Sequence, residues 1–355
     1  MKKVFSVLLV AFLICALATS CAGVSTGETP AEPAAAPASN PPAAATDAPS
    51  APAPAASKPL TEQKIGLTMQ TLNGAYFSAQ EETFKMLCAS KGIECITADA
   101  NGDTNQELAN VENFITQGCT VVVINPVHPE GTVEATRKCA EAGVAVFIMD
   151  NSISPSADYV SMIQSDNYTL GTLVGADIAE KFGSEEIRIG MLSGNTGNTL
   201  GVARRMGTLA GIVEYQLEKN GESNVKIVTQ GWGGWNQADG QKAAENMLTA
   251  APETNCIFAE NDDMALGARE ACLAMGRTDI VICGADGNKT MYGLIQEGGQ
   301  MFATGRNDPA ECATKVLETI EKWNSGEAVQ KLVYLTPVSV SPKNINQYYK
   351  PDSLF

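Results

Sequence analysis

The sequence predicts an α/β architecture of two doubly wound parallel sheets, and three observations carry that prediction. From Lys64 onward, apolar runs of strand length alternate with amphipathic stretches of helix length. Runs such as "CTVVVINP" are apolar without alternation, the pattern of a parallel strand covered on both faces. At 355 residues with 44% hydrophobic composition, the chain is long enough for two such cores.

The elements follow in order. "KIGLTM" reads as a strand, then a helical pattern runs around Tyr76 to Ala89, then "GIECITAD" as a strand. "TNQELANVENFITQG" places Leu108, Val111, Phe114 and Ile115 on one helical face, with Asp103 or Thr104 as its cap. The strand "CTVVVINP", a helix "EATRKCAEAG" ending on Gly143 and the strand "VAVFIMDN" complete the first half. The rhythm restarts after Ser165 with a helix from Leu170 to Phe182, the strand "IRIGMLSG" and a helix from Gly201. It continues through "VKIVTQ", a helix "ADGQKAAENMLTA", the strand "CIFAEND", a helix from Met264, and the strands "IVICGADG" and "MFATGRN", each followed by a helix. No sequence repeat is obvious between the halves.

The part before Lys64 is of another kind. Met1-Lys2-Lys3, an apolar run from Val4 to Leu17 and the small residues "ALATSC" read as a signal peptide over residues 1–20. The run is too short and wrongly flanked for a transmembrane helix. "LATSC" resembles a bacterial lipobox, which implies cleavage before Cys21 and lipidation of its thiol. Residues 21–59 form a Pro/Ala-rich linker with almost no large apolar side chain, an extended tether between a lipid and a folded part.

Charge and cysteine content exclude several classes. A formal charge of −16 argues against nucleic acid, whose phosphates need clustered Lys and Arg. One His and no Cys-x-x-Cys spacing leave no basis for a zinc or iron–sulfur site, so no metal or cofactor is expected. The eight inner cysteines sit within or at the edge of apolar faces and read as mostly free, buried thiols, with Cys88 and Cys95 the first pair to check for a bridge. "DANGDTNQE" has Thr104 where a calcium loop needs Gly and Asn110 where it needs Glu, which argues against calcium. "SGNTGNTLG" is neither a dinucleotide fingerprint nor a Walker loop and reads as a turn at the edge of a cleft. His128 lies in a Pro-flanked loop, and no nucleophile elbow occurs.

Almost every strand ends in a polar residue: Asn125, Asp150-Asn151, Asn261-Asp262, Asp286 and Asn307. Open parallel sheets bind ligands at the carboxyl ends of their strands, so two facing sheets would set these groups on opposite walls of one cleft. Carboxylates, amides and Arg satisfy hydroxyls that both give and accept hydrogen bonds. Trp232, Trp235, Tyr76 and Phe77 offer flat apolar faces for the C–H side of a sugar ring. Asp150 and Asp286 also allow a glycosidase pair.

"QTLNGAYF", "GDTNQELANVENFITQG", "VVVINP", "FIMDN", "FAENDDMALGA", "GADG" and "ATGRNDP", in this order, resemble the ribose-binding-protein group of periplasmic sugar-binding proteins, over roughly Thr61 to Val340. The resemblance implies a type I periplasmic binding protein: two Rossmann-like lobes joined by a three-strand hinge. The N-terminal lobe would comprise residues 60–165 and 308–335, the C-terminal lobe 166–307 and 336–355. Carried over by position, the ligand-binding residues would be Tyr76, Phe77, Asn125, Asp150, Asn151, Arg204, Trp235, Asn261, Asp286 and Asn307, with Asp262 capping the helix after Asn261. Gly74 stands where the group's ribose binder has Asn, and Asn151 where it has Arg; both changes remove sugar contacts, so the implied ligand is a neutral monosaccharide or polyol rather than ribose in particular. The implied protein is the lipid-anchored binding subunit of an ABC importer, a monomer working with permease subunits outside the cytoplasm. A sensor module for a chemoreceptor or kinase is the alternative. A sugar-responsive repressor is excluded, because an export signal replaces the DNA-binding part.

Overall fold

The computed structural model describes residues 58–355; the signal peptide, Cys21 and all but the end of the 21–59 linker lie outside the described residues. The first sheet is built from β1 (Lys64–Met69), β2 (Glu94–Asp99), β3 (Val121–Ile124), β4 (Ala145–Met149) and β5 (Ser161–Ser165), interleaved with α1 (Ala75–Ser90), α2 (Thr104–Thr116) and α3 (Val133–Glu141). The chain then crosses at Asp166 into α4 (Asn167–Phe182). The second sheet follows as β6 (Ile187–Ser193), α5 (Thr199–Asn220), β7 (Val225–Trp232), α6 (Gln237–Ala250), β8 (Cys256–Ala259), α7 (Asp262–Ala274), β9 (Val281–Asp286), α8 (Lys289–Glu297) and β10 (Met301–Arg306). A second crossing at Asn307-Asp308 leads to α9 (Pro309–Asn324) and β11 (Leu332–Leu335) on the first sheet. A third leads to β12 (Ser339–Val340) and α10 (Ile345–Tyr348) on the second.

Strand order is β11-β5-β4-β3-β1-β2 in one sheet and β12-β10-β9-β8-β6-β7 in the other. All pairs are parallel except β10 with β12. These are the two doubly wound lobes the alternating pattern predicts. β3 and β8 are buried at every residue, as strands covered by helices on both faces must be. Each sheet has an apolar cluster on either side, with Phe84, Phe147 and Phe114 in the first lobe and Phe258, Ile257 and Met264 in the second.

The sequence pattern missed β5, β11 and β12. "SMIQS" has too few apolar residues to stand out; it is a strand because it pairs with β4 on one side and β11 on the other. Asp103 caps α2, its side chain accepting from Asn105 N at 2.8 Å. Among the described residues all eight cysteines are free, seven of them buried and Cys95 half-buried. They pack as small hydrophobes, with Cys88 and Cys95 within hydrogen-bonding reach of each other.

One helix contact positions the site. At Gly171 of α4, a side chain would begin 2.2 Å from the Arg204 carbonyl oxygen on α5, so only glycine lets the two backbones approach this closely. That approach sets Arg204 beside the first interlobe crossing.

Candidate ligand-binding cleft

A cavity of about 430 Å³ opens between the carboxyl ends of the two sheets. The first lobe contributes Tyr76 and Phe77 from α1 and Asp150-Asn151 after β4. The second contributes Arg204 from α5, Trp235 before α6, Asn261 after β8 and Asp286 closing β9, and Asn307 lies at the crossing. Nine of the ten residues expected from the sequence therefore line one space, whose volume is in the range of small-molecule sites. Asn125 is not among them. It is fully buried behind the wall, its amide donating to Gln80 Oε1 at 2.8 Å, and it supports the Asp150 carboxyl rather than facing the cavity. A larger depression of about 680 Å³ lies beside β7 and α6, away from Asp150 and Asp286.

On the first wall, the Tyr76 hydroxyl donates to Asp150 Oδ1 at 2.7 Å, and Tyr76 meets Phe77 edge-on with ring centroids 5.3 Å apart. Burial pushes the Asp150 carboxyl up from its ordinary range; the Tyr76 hydroxyl, the Arg204 charge and the Asn307 and Asn125 amides oppose that push. Burial also drives the Tyr76 hydroxyl well above its usual range, so it stays a donor. The Asn151 amide donates to Gln70 Oε1 at 3.0 Å and to the Pro126 carbonyl at 2.9 Å, bracing the turn after β4.

The second wall is organised by Arg204, only 1% exposed. Its Nε donates to Asn167 Oδ1 at 2.9 Å, and its Nη1 donates to the Glu260 carbonyl at 2.7 Å and Asp286 Oδ1 at 2.8 Å. Asp286 is thus the counter-ion of a buried guanidinium as well as a strand-end group, a role the sequence pattern did not carry. Burial pushes its carboxyl up to about 7; Arg204 works against that and Asp262 adds to it. Beside it, the Trp235 ring lies so close over Gly194 that a side chain there would begin 2.0 Å from the ring. Glu260, buried at the end of β8, accepts from Gly194 N at 2.8 Å and pairs with Arg205, holding the β6–α5 turn. Trp232 stands outside the cleft, 44% exposed with the Arg205 guanidinium 5.7 Å from its ring.

The Asn261-Asp262-Asp263 stretch differs from expectation. Asn261 is itself the cap, accepting from Met264 N at 3.0 Å, and it also lines the cavity while donating to the Trp235 carbonyl at 3.1 Å. Asp262 is fully buried and does not cap. Its Oδ2 accepts from Gly287 N at 2.7 Å and Asn288 N at 2.8 Å, and its Oδ1 accepts from Thr304 Oγ1 at 2.6 Å, which ties β9, α8 and β10 together. Burial pushes Asp262 up to about 6. Asp263, passed over in the sequence, faces the cavity instead. Asn195 and Asn198 in "SGNTGNTLG" also line it, as a turn at the cleft edge should. Gln70, which opens "QTLNGAYF", and Phe355 line it as well, and no motif in the sequence marks Phe355.

Among the described residues four non-glycine residues have φ in the left-handed region, and three of them line the cavity: Asp150 (69°), Trp235 (65°) and Asp286 (136°). Such conformations carry strain and collect at functional sites.

A family model for the periplasmic binding protein domain matches residues 65–327. The chain belongs to the periplasmic binding protein family. The ribose import binding protein RbsB of Escherichia coli is 27% identical over 271 residues, covering 76% of this chain and 88% of that protein. The D-apiose import binding protein of Actinobacillus succinogenes is 26% identical over 259 residues, covering 73% and 81%. A solved ABC transporter solute binding protein from Mycobacterium smegmatis, with bound glycerol, matches with a TM-score of 0.74 at 29% identity over 82% of this chain and 98% of that one. The two-lobed architecture of this periplasmic binding protein is the type I form. Its relatives are import binding proteins, so it is a binder and not an enzyme, and Asp150 and Asp286 are not a glycosidase pair. Family membership places the folded lobes outside the cytoplasm. Among the described residues no helix is long and apolar enough to cross a membrane.

Two outcomes follow from this geometry. Asp262→Ala leaves two backbone N–H groups and a hydroxyl without acceptors in the interior and should lower stability by at least about 2 kcal/mol, whereas Asp262→Asn keeps an acceptor and a donor in place. Between about pH 4 and the folded-state value of about 6, the folded protein holds a proton on Asp262 that the unfolded chain has released. Its contribution is full below that window and is lost as pH rises through it. Denaturant titrations across these pH values should therefore show a shallower fall for Asp262→Asn; an unchanged slope would rule this assignment out.

At Asp150, glycine removes both the buried carboxyl and the left-handed strain, whereas alanine keeps the strain. Sugar-free Asp150→Gly should be more stable than Asp150→Ala by about 1 kcal/mol in chemical denaturation. Equal stabilities would mean the backbone at Asp150 is not held in this conformation.

Proposed function

We propose that this chain is the lipid-anchored binding subunit of an ABC-type importer and encloses a neutral monosaccharide or polyol by closure of residues 60–165 and 308–335 against 166–307 and 336–355. The observation that carries this reading is the make-up of the cavity wall. It presents Asp150 and Asp286 from opposite sheets, with Asp263, and Arg204 as the only cation among the described lining residues. Arg204 is already paired with Asp286, so an anionic ligand finds three carboxyls and no spare positive charge. Burial pushes the Asp150 and Asp263 carboxyls up from their ordinary range, which suits hydroxyls that donate and accept in turn. Ring faces of Tyr76, Phe77 and Trp235 suit the C–H side of a sugar. The relatives named for ribose and D-apiose import support the same class.

The anchoring part of the proposal rests on sequence: the signal peptide, Cys21 as the lipidated residue and the tether to Lys58. Closure desolvates the ligand and presents a closed surface to permease subunits, with the binder acting as a monomer. A sensor role would use the same closure with a chemoreceptor or kinase as partner.

A thermal-shift panel of D-ribose, D-allose, myo-inositol, other neutral pentoses, hexoses and polyols, and sugar acids tests this reading. A neutral ligand at a hundred times its dissociation constant should add about 2.7 kcal/mol of apparent stability. Asp150→Asn, which leaves Arg204 paired, should weaken that ligand about ten- to a hundredfold in calorimetry. Stabilisation by sugar acids alone would defeat the proposal, and so would full affinity in Asp150→Asn.

A further inference from the structure

The chain beyond α10 returns to the cleft. Ile345 is buried in the second-lobe core and Tyr348 and Tyr349 pack against it, which fixes the start of this segment. Lys289 Nζ, at the start of α8, donates to the Ser353 carbonyl at 2.9 Å; the Ser353 hydroxyl donates to the Phe355 carbonyl at 2.7 Å, and its N–H to the Lys350 carbonyl at 3.0 Å. Leu354 points outward, 52% exposed, while Phe355 is half-buried and lines the cavity. Its ring meets Tyr76 edge-on, centroids 5.5 Å apart and planes at 85°. Tyr76 in turn holds Asp150.

We infer that Phe355 is a specificity-determining wall of the ligand cavity, a contact that rests on the sugar-binding reading above. Three observations support it. The segment is anchored on the second lobe, yet its ring touches the first, so it bridges the lobes by a side-chain contact separate from the three crossings. It completes an aromatic surface with Tyr76, Phe77 and Trp235, the kind of surface that receives the C–H face of a sugar or polyol ring. And it lies outside residues 65–327, so the match to the family domain does not account for it. A flat, rigid ring at this place narrows the mouth of the cavity and slows escape of a bound ring-shaped ligand. It also strengthens the Tyr76 edge contact that positions the Asp150 partner.

Two readouts test the assignment. In the sugar-free protein with isotope-labelled Phe and Tyr, ring protons of Phe355 and Tyr76 should show a direct nuclear Overhauser contact that disappears in Phe355→Ala; its absence from the unaltered protein overturns the inference. With whichever of D-ribose, D-allose, myo-inositol or the other neutral sugars and polyols of the panel binds the unaltered protein, Phe355→Ala should speed dissociation about tenfold and Phe355→Trp should stay within about threefold, with both variants folded in the absence of sugar by circular dichroism. Unaltered dissociation in Phe355→Ala overturns it. If no neutral sugar or polyol of the panel binds, the sugar-binding reading fails, and the ring contact alone upholds or overturns the place of Phe355 in the cleft wall.

Discussion

A guanidinium buried to 1% exposure must have its charge met inside the protein, and the cleft is arranged around meeting that of Arg204. The planar fork reaches three elements at once: Asn167 at the first crossing, the carbonyl that ends β8, and the carboxylate that ends β9. Removing any partner would leave part of a charge unsatisfied in a low-dielectric interior. The close α4–α5 approach at Gly171 serves the same end, because it fixes the backbone from which Arg204 extends. Strand ends that would otherwise be independent are thereby held in one geometry.

That arrangement also decides what the cavity can hold. With Arg204 neutralised by Asp286, the remaining groups are the Asp150 and Asp263 carboxyls raised by burial, amides and aromatic rings. Asp150, Trp235 and Asp286 hold left-handed backbone conformations to present these groups, strain that the surrounding sheets must offset. Two walls of this kind come from different lobes, so a ligand that bonds to both favours closure, and one that bonds to a single wall gains little from it.

The fold was legible in the sequence where burial dictates composition. β3 and β8 are covered on both faces and appear as unbroken apolar runs, and the helices between strands show their buried faces at helical spacing. β5 and β12 were not legible, because pairing with neighbours in their own sheets makes them strands and their own residues barely do, and β11, though apolar, stands apart from the strand–helix alternation. The cleft residues were legible as polar groups at strand ends together with a family resemblance. Their orientations were not. In Asn261-Asp262-Asp263 the turn geometry sends the amide to the cap and cavity, the first carboxylate into the core and the second to the cavity, and three adjacent small polar residues carry no sign of that division. Asn125 sits one layer too deep for the same reason, and Phe355 enters from a segment with no motif at all.

On the proposed reading, Asp286 meets the positive charge of Arg204 within the protein and leaves a cleft for neutral hydroxylated rings. Competitive calorimetry between the best-binding neutral aldose and its own uronic acid measures this most directly, since both keep the sugar ring and differ by a carboxylate in place of the terminal hydroxymethyl group. The acid should bind at least about a hundredfold more weakly, a difference of about 2.7 kcal/mol. Equal or tighter binding of the acid would contradict it.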